Sequence, residues 1–255
     1  MHNILPSLVA LLGGACLGSF ATLLVWRLHH DQKGILSGRS RCTKCGKTLG
    51  VRHLIPLVSW VFQRGKCSFC HTSISIFYPL TELLFAVTAF LFVQKFYSTS
   101  GSIFLFLSVF CALLLFVYDI RFQEVDRRIS LPAVGIALAW SFTRESVFLD
   151  FLLGGGIGFA FYALQYFFSR GTWVGAGDME LGAFMGLLLG IDLLFPALFL
   201  SYVLGLFVCL PFLFWGKLGR KSKVPLGAFL LPITLLFLYD RGSTWEAISS
   251  FLGLF

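Results

Sequence analysis

The 255-residue sequence has few charged residues. Asp, Glu, Lys and Arg make up only 13% of it, whereas they account for about 25% of an average soluble domain. Hydrophobic residues make up 57%, and Phe alone occurs 30 times. A soluble domain of this length could not bury so much apolar surface, and a disordered chain would be far more polar. The composition therefore predicts a polytopic membrane protein.

Histidine and lysine are missing where several kinds of intramembrane chemistry would require them. No His lies beyond residue 71, and no Lys lies in the interior of a predicted span. This excludes Ser–His and Ser–Lys proteases and an HExxH metalloprotease within the later spans. The ionisable groups that remain at membrane depth are carboxylates, which are costly there and therefore mark candidate functional sites.

Acidic residues are almost absent from residues 27–73. This segment holds nine of the 20 basic residues and one acid, Asp31, and so accounts for the whole formal net charge of +8. We interpret it as a cytoplasmic loop that follows the positive-inside rule. The less favoured alternative is a site for anionic lipid or nucleic acid. We expect no nucleic-acid partner, because no pattern of aromatic residues accompanies the charges.

Apolar segments of suitable length predict an all-α membrane protein with about eight transmembrane helices and a small cytoplasmic zinc-knuckle domain. We divide the last long segment near Gly190-Ile191-Asp192, because a single span would move Lys217 to Lys223 to the outer face. With the 27–73 loop inside, 17 of the 20 basic residues are cytoplasmic and both chain ends are outside. The predicted spans are 4–26, 74–94, 102–120, 129–143, 147–168, 178–191, 193–215 and 225–240.

The loop contains two CxxC pairs. Cys42 and Cys45 are separated by 21 residues from Cys67 and Cys70. Four thiolates at this spacing are typical of a closed, structural zinc site. Disulfides and free thiols are the alternatives, and a reducing cytoplasm favours the metal over disulfides.

Five acids lie in or near the predicted spans: Glu82, Asp119, Asp178, Glu180 and Asp192. Asp119 ends the third span and Asp178 opens the sixth, so both are expected at the cytoplasmic boundary and at similar depth. Two neighbouring carboxylates cannot both ionise comfortably, so one keeps a proton while the other acts as a base towards water. The alternative is that each Asp is an interfacial cap, with Asp178 at a helix N-terminus.

Asp178 follows Gly175-Ala176-Gly177. Glycines at this place would let the backbone approach an extended substrate. A Gly-x-Gly-Asp motif alone is a weak signal, but here a second Asp is predicted at the same depth.

Together these features resemble the type IV prepilin peptidase family, a set of membrane aspartic proteases with a Gly-x-Gly-Asp motif. The resemblance covers nearly the whole chain. Besides the two Asp motifs and the two Cys pairs, the similar segments are Gly18-Ser19-Phe20, Arg27-Leu28, Ile55 to Trp60, Tyr78-Pro79, Glu82-Leu83 and Pro225-Leu226-Gly227.

The resemblance implies a protease of the bacterial inner membrane, with Asp119 and Asp178 as the catalytic pair. It implies prepilin or pseudopilin substrates of type IV pili or type II secretion, which are cut at the cytoplasmic face after a glycine. Many members also methylate the new N-terminus with S-adenosylmethionine. The corresponding domains are a first helix over 1–26, a zinc-binding domain over 27–73 and a transmembrane peptidase domain over 74–255.

Four residues, in three segments of the sequence, depart from the family pattern. Val125-Asp126-Arg127 stands where the family usually has an apolar residue, Pro, and Asp or Asn. Glu180 stands where a Lys is usual, and Thr22 where an Asn is usual. A third acid close to the pair could raise its pKa values by like-charge repulsion. These departures motivate a second hypothesis, a catalytically weak paralogue that binds pilin-like helices as an assembly factor.

Overall fold

The computed structural model describes residues 4–32, 39–96, 101–215 and 224–240, together with Thr99, Ser243 and Ser250. It divides into two compact units, Met1–Tyr97 and Ser98–Phe255. Within the described residues the secondary structure is helical apart from two isolated β-bridges. The predicted all-α class is therefore confirmed. Lys33 and the basic residues Lys217 to Lys223 lie outside the described residues.

The first unit is built on two long helices, α1 (Ile4–His29) and α3 (Phe77–Phe96). Two glycines of α1 let the helix backbones approach closely. A Cβ on Gly14 would lie 2.8 Å from Ala86 Cα, and one on Gly18 would lie 2.7 Å from Glu82 Cα. The connection between the helices carries a 3₁₀ turn over Val51–His53 and a short helix, α2 (Val58–Phe62).

The second unit contains five helices: α4 (Ser102–Phe122), α5 (Arg127–Phe142), α6 (Phe148–Ser169), α7 (Ala176–Phe214) and α8 (Gly227–Asp240). A 3₁₀ turn over Glu145–Val147 precedes α6. All eight predicted spans thus fall on helices. In the described part of the chain, five helices are long and apolar enough to cross a membrane, namely α1, α3, α4, α6 and α7. Helices α5 and α8 are shorter, with 16 and 14 residues.

Helix α7 is interrupted where the sequence predicts a division between two spans. Gly190 has φ +76° and ψ 179°, outside the helical region. Asp150, in the first turn of α6, accepts a hydrogen bond from the backbone N–H of Ile191 at 3.1 Å. The carboxylate thus binds a backbone donor that the interruption frees from the helix.

Glycines also bring α6 and α7 into backbone contact. Gly158 faces Gly182, and Gly154 faces Gly186, so closely that a Cβ at any of them would collide with the opposite main chain. The small residues recurring every fourth position of α7 are therefore explained by close helix packing. This contact packs the second and third turns of α7 against α6.

We expect Gly190→Ala to destabilise the protein by about 1–3 kcal/mol, because Ala is strained at a positive φ. Its Cβ would also collide with the Asp150 carboxylate. The matched control is Gly156→Ala in α6, where a Cβ meets no atom within 4 Å; this change should be neutral or stabilise by about 0.5–1 kcal/mol. Thermal unfolding in detergent measures both, and equal effects would contradict the proposed role of Gly190.

Candidate active site and metal site

Asp119 lies in the last turn of α4 and is only 4% exposed. Its Oδ2 accepts a hydrogen bond from the backbone N–H of Ala228 at 2.7 Å, in the first turn of α8. Gly227 permits this approach, since a Cβ there would lie 3.0 Å from Asp119 Oδ2 and 3.1 Å from Leu181 Cδ1. Gly227 thus lies between the end of α4 and the beginning of α7.

Asp178 lies in the first turn of α7 and is 9% exposed. Its Oδ2 accepts a hydrogen bond from the backbone N–H of Gly175 at 2.7 Å. An acid in the first turn of a helix is also stabilised by the helix dipole. Asp119 lies beside the turn of α7 that follows Asp178, because a Cβ at Gly227 would approach both Asp119 Oδ2 and Leu181 Cδ1 to about 3 Å. The structure therefore brings together the two carboxylates that the sequence predicts to form a pair.

Gly177, the residue before Asp178, packs against the connection between α4 and α5. A Cβ at Gly177 would lie 2.5 Å from Val125 Cβ, which no packed structure allows. The sequence suggested that this glycine makes room for a substrate, but here it makes room for Val125 of the same chain. The α4–α5 connection is thereby packed against the turn that presents Asp178.

Glu180, one of the residues that depart from the family pattern, is 8% exposed, and both of its carboxylate oxygens have a partner. Arg127 Nε lies 2.9 Å from its Oε1, and the Ser130 hydroxyl donates a hydrogen bond to its Oε2. Its charge is therefore balanced by Arg127. The two residues that depart from the expected family pattern, an acid and a base, thus face each other. Their complementary signs were the sequence signal from which this contact could have been found.

Asp126, the third departing residue of this region, caps α5. Its Oδ1 accepts from the backbone N–H of Arg128 at 2.8 Å, and its Oδ2 accepts from the Arg128 guanidinium at 2.7 Å. Burial opposes ionisation of this carboxyl, but the hydrogen bonds and charge of Arg128 outweigh it and lower the pKa of Asp126. The Asp that stands in place of the usual Pro thus begins the helix by capping it.

Thr22, the departure in α1, is 2% exposed and donates its hydroxyl to the carbonyl of Ser19 at 2.8 Å. Its polar group is thus satisfied within its own helix. The remaining two acids in or near the predicted spans are Glu82 and Asp192. Glu82 accepts a hydrogen bond from the Leu57 backbone N–H at 2.7 Å, and Asp192 is exposed.

In the first unit, the Sγ atoms of Cys42, Cys45, Cys67 and Cys70 all lie within 4.8 Å of one another. Those of Cys42 and Cys70 are 3.8 Å apart. Tetrahedral zinc with Zn–S bonds of about 2.3 Å requires sulfur–sulfur distances of roughly 3.8 Å. The donor set and its spacing therefore fit a Cys₄ zinc site.

The two CxxC pairs are held by equivalent backbone turns. In the first, the Cys42 N–H donates to the Lys47 carbonyl at 3.0 Å; in the second, the Cys67 N–H donates to the Thr72 carbonyl at 2.8 Å. Gly46 and His71 occupy the same place in each turn, with φ of +70° and +55°. The predicted pair of tight knuckles is thus present.

The pKa of Cys45 is raised to about 11 by desolvation and by the neighbouring Cys42 and Cys70, whereas the pKa of Cys70 is lowered. Hydrogen bonds from the Thr72 hydroxyl and backbone lower the pKa of Cys70 to about 6. Thiolate is the form that binds metals. His53 and His71, which are close to the cysteines in sequence, do not belong to the group of clustered donors in the described residues. The His53 ring instead accepts from the Gly50 N–H at 3.2 Å.

Comparison with known proteins agrees with this arrangement. Residues 12–96 match the Bacterial Peptidase A24 N-terminal domain, and residues 104–210 match the Type IV leader peptidase family. No solved structure matches the chain significantly.

Three relatives carry the name prepilin leader peptidase/N-methyltransferase. The Bacillus subtilis protein is 36% identical over 75% of this chain and 77% of its own length. The Myxococcus xanthus protein is 32% identical over 82% of this chain and 64% of its own length. The Vibrio cholerae protein is 29% identical over 78% of this chain and 82% of its own length. With these matches the resemblance is confirmed: the chain is a member of the Type IV leader peptidase family, a family of peptidases.

Proposed function

We propose that this protein is an inner-membrane prepilin peptidase. It cleaves prepilins or pseudopilins after the glycine that precedes their hydrophobic segment, with a water molecule activated by Asp119 and Asp178. The observation that carries the proposal is the pair of buried carboxyl groups at the end of α4 and the beginning of α7, each bound by a backbone N–H. The names of the relatives supply the substrate class.

The chemistry requires one carboxylate and one carboxylic acid. The carboxylate takes a proton from water as the water oxygen bonds to the scissile carbonyl carbon, and the acid donates its proton to the carbonyl oxygen. Collapse of the tetrahedral intermediate then breaks the C–N bond and the leaving amine takes up a proton. The two groups act as one unit and titrate as a pair.

The backbone contacts orient both carboxyl groups for this reaction. The N–H groups of Ala228 and Gly175 bind the Oδ2 atoms of Asp119 and Asp178. In our proposal the Oδ1 atoms therefore face the water and the scissile bond. Because the donors belong to the first turn of α8 and the turn before α7, any movement of these helices changes the geometry of the pair.

The Glu180 contacts favour an active enzyme over the catalytically weak alternative. An unpaired carboxylate two residues from Asp178 would repel the charge that the pair must carry during reaction. Arg127 and Ser130 compensate Glu180 instead. They also tie the beginning of α5 to the first turns of α7, and we propose that this brace positions Asp178.

We propose that the active site faces the cytoplasm. Arg121 lies in the last turn of α4, Arg127 and Arg128 in the first turn of α5, and Arg170 directly after α6. The ends of helices near Asp119 and Asp178 are therefore rich in Arg, and such ends remain on the cytoplasmic side. A prepilin leader would then reach the site without crossing the bilayer.

N-methylation of the mature N-terminus is the second activity that we propose, because the relatives carry N-methyltransferase in their names. S-Adenosylmethionine would supply the methyl group. We assign no residue to the binding of this donor.

The four cysteines would hold a structural zinc ion. Four thiolates complete its tetrahedral shell, so no position is left for water or substrate. The metal then joins the two knuckles and stabilises the loop between α1 and α3, and takes no part in peptide hydrolysis.

We expect Asp119→Asn and Asp178→Asn each to lower prepilin cleavage by at least about 100- to 10,000-fold, since removing a general acid or base costs that much. The Asn carbonyl can still accept the backbone N–H, so both variants should fold and insert. Asp192→Asn, an exposed acid in α7, is the control and should cleave normally. Mass spectrometry of the pilin N-terminus measures cleavage and methylation together; full processing by either active-site variant would refute the dyad.

The brace can be tested by exchanging its charges. Arg127→Asp and Glu180→Lys should each reduce kcat by about tenfold or more, because loss of one partner costs about 1–3 kcal/mol. The double variant restores an ion pair of opposite polarity and should recover most of the activity. Glu124→Lys, an exposed acid of the same connection, should have little effect. If kcat of the double variant falls by as much as the two single fold-losses multiplied together, the pairing is excluded.

Elemental analysis should find about one zinc per chain. Cys42→Ser combined with Cys67→Ser should abolish zinc binding and destabilise the loop, while cleavage is partly retained. Cys16→Ser combined with Cys209→Ser, which changes two cysteines in the membrane helices, should leave the metal content unchanged. Zinc retained by the first double variant would contradict the ligand set.

A further inference from the structure

Helix α2 presents an apolar face although it lies outside the membrane-spanning helices. Val58, Val61 and Phe62 occupy positions i, i+3 and i+4, so they share one side of the helix. Their exposed fractions are 46%, 66% and 83%. An exposed apolar group of this kind marks a contact surface.

The opposite side of α2 is anchored within the unit. Trp60 Nε1 donates to the Ile74 carbonyl at 3.2 Å, and the Trp60 ring lies against Gly65, where a Cβ would be 3.0 Å from the ring. Trp60 therefore fixes the rotation of α2, and the exposure of its apolar side is a consequence of that fixed rotation.

A buried carboxylate fixes the position of α2 along the axis of α3. Leu57, which immediately precedes α2, has φ +62° and donates its backbone N–H to Glu82 at 2.7 Å. Glu82 is the sixth residue of α3, roughly 7–8 Å along the axis from the beginning of that helix. The N-terminus of α2 is therefore held beside the first turns of α3, a helix long and apolar enough to cross a membrane.

Basic residues accompany the apolar face. Arg52 and Arg64 are exposed on either side of α2 in the sequence, and residues 32–81 contain no Asp or Glu. A short amphipathic element with hydrophobic side chains on one face and flanking Arg residues is suited to an anionic lipid surface. A leader peptide that is itself basic would be repelled by the same residues.

We propose that Val58, Val61 and Phe62, with Arg52 and Arg64, form an interfacial anchor that docks the knuckle loop on anionic headgroups of the adjacent leaflet. The apolar side chains enter the boundary between headgroups and acyl chains, and the two guanidinium groups bind lipid phosphates. Glu82 and Trp60 hold the anchor at the required depth and rotation. The loop between α1 and α3 is then oriented relative to the membrane plane.

The test uses the full-length, zinc-loaded protein in nanodiscs of phosphatidylcholine, with and without phosphatidylglycerol. Hydrogen–deuterium exchange of residues 51–63 should slow several-fold when phosphatidylglycerol is present. Arg52→Gln combined with Arg64→Gln should remove this difference, while the control Lys44→Gln, between the cysteines of the first knuckle, should preserve it. Equal exchange of the unmodified protein in both nanodiscs would overturn the proposal.

The occupant of the face is identified by photo-crosslinking. Benzoylphenylalanine in place of Phe62 should form adducts with lipid, and the same residue in place of Thr43 should form far fewer. Adducts with prepilin, or with a second copy of the protein, would instead assign the face to that partner and overturn the lipid contact. Because Phe62 makes little contact with the rest of the protein, the crosslinker in its place should not disturb folding. Zinc content and prepilin cleavage verify that each variant is folded.

Discussion

A carboxylate near the apolar layer of a membrane protein must find a hydrogen-bond donor, because water is scarce there and an unsatisfied charge is costly. This constraint recurs through the second unit. Asp119 is bound by the backbone N–H of Ala228, Asp178 by that of Gly175, and Asp150 by that of Ile191. Each carboxylate thereby holds a helix terminus or an interruption in a helix. The contacts that provide the acids with hydrogen-bond donors are therefore also contacts that assemble the unit.

The active-site geometry follows from these contacts and from glycine. The N–H groups that orient the two Asp residues are available only at helix beginnings, where no intrahelical acceptor competes for them. Close approach of those beginnings then requires residues without a Cβ, which explains Gly177 against Val125 and Gly227 against Asp119. Glycine in the Gly-x-Gly-Asp motif thus supports packing of the chain on itself, whatever its relation to substrate.

The complementary departures at Arg127 and Glu180 illustrate how far sequence reasoning reaches. Glu180 alone suggested repulsion within the site, because the sequence places it two residues from Asp178. The structure pairs it with Arg127, which is 53 positions earlier in the sequence. Such a long-range contact depends on how α5 packs against α7, and no local pattern specifies that packing. The opposite signs of the two unusual residues were the hint available beforehand.

The sequence by itself determined the membrane class, the helical segments, the division near Gly190, the two Cys knuckles and the family, because composition, apolar length and short motifs are local properties of the chain. Only the tertiary structure decided which N–H groups bind Asp119 and Asp178, that Glu180 pairs with Arg127, that Asp150 stabilises the interruption of α7, and which side of α2 is exposed. These features join residues far apart in sequence, and they arise from packing between helices, where burial obliges every polar group to find a partner.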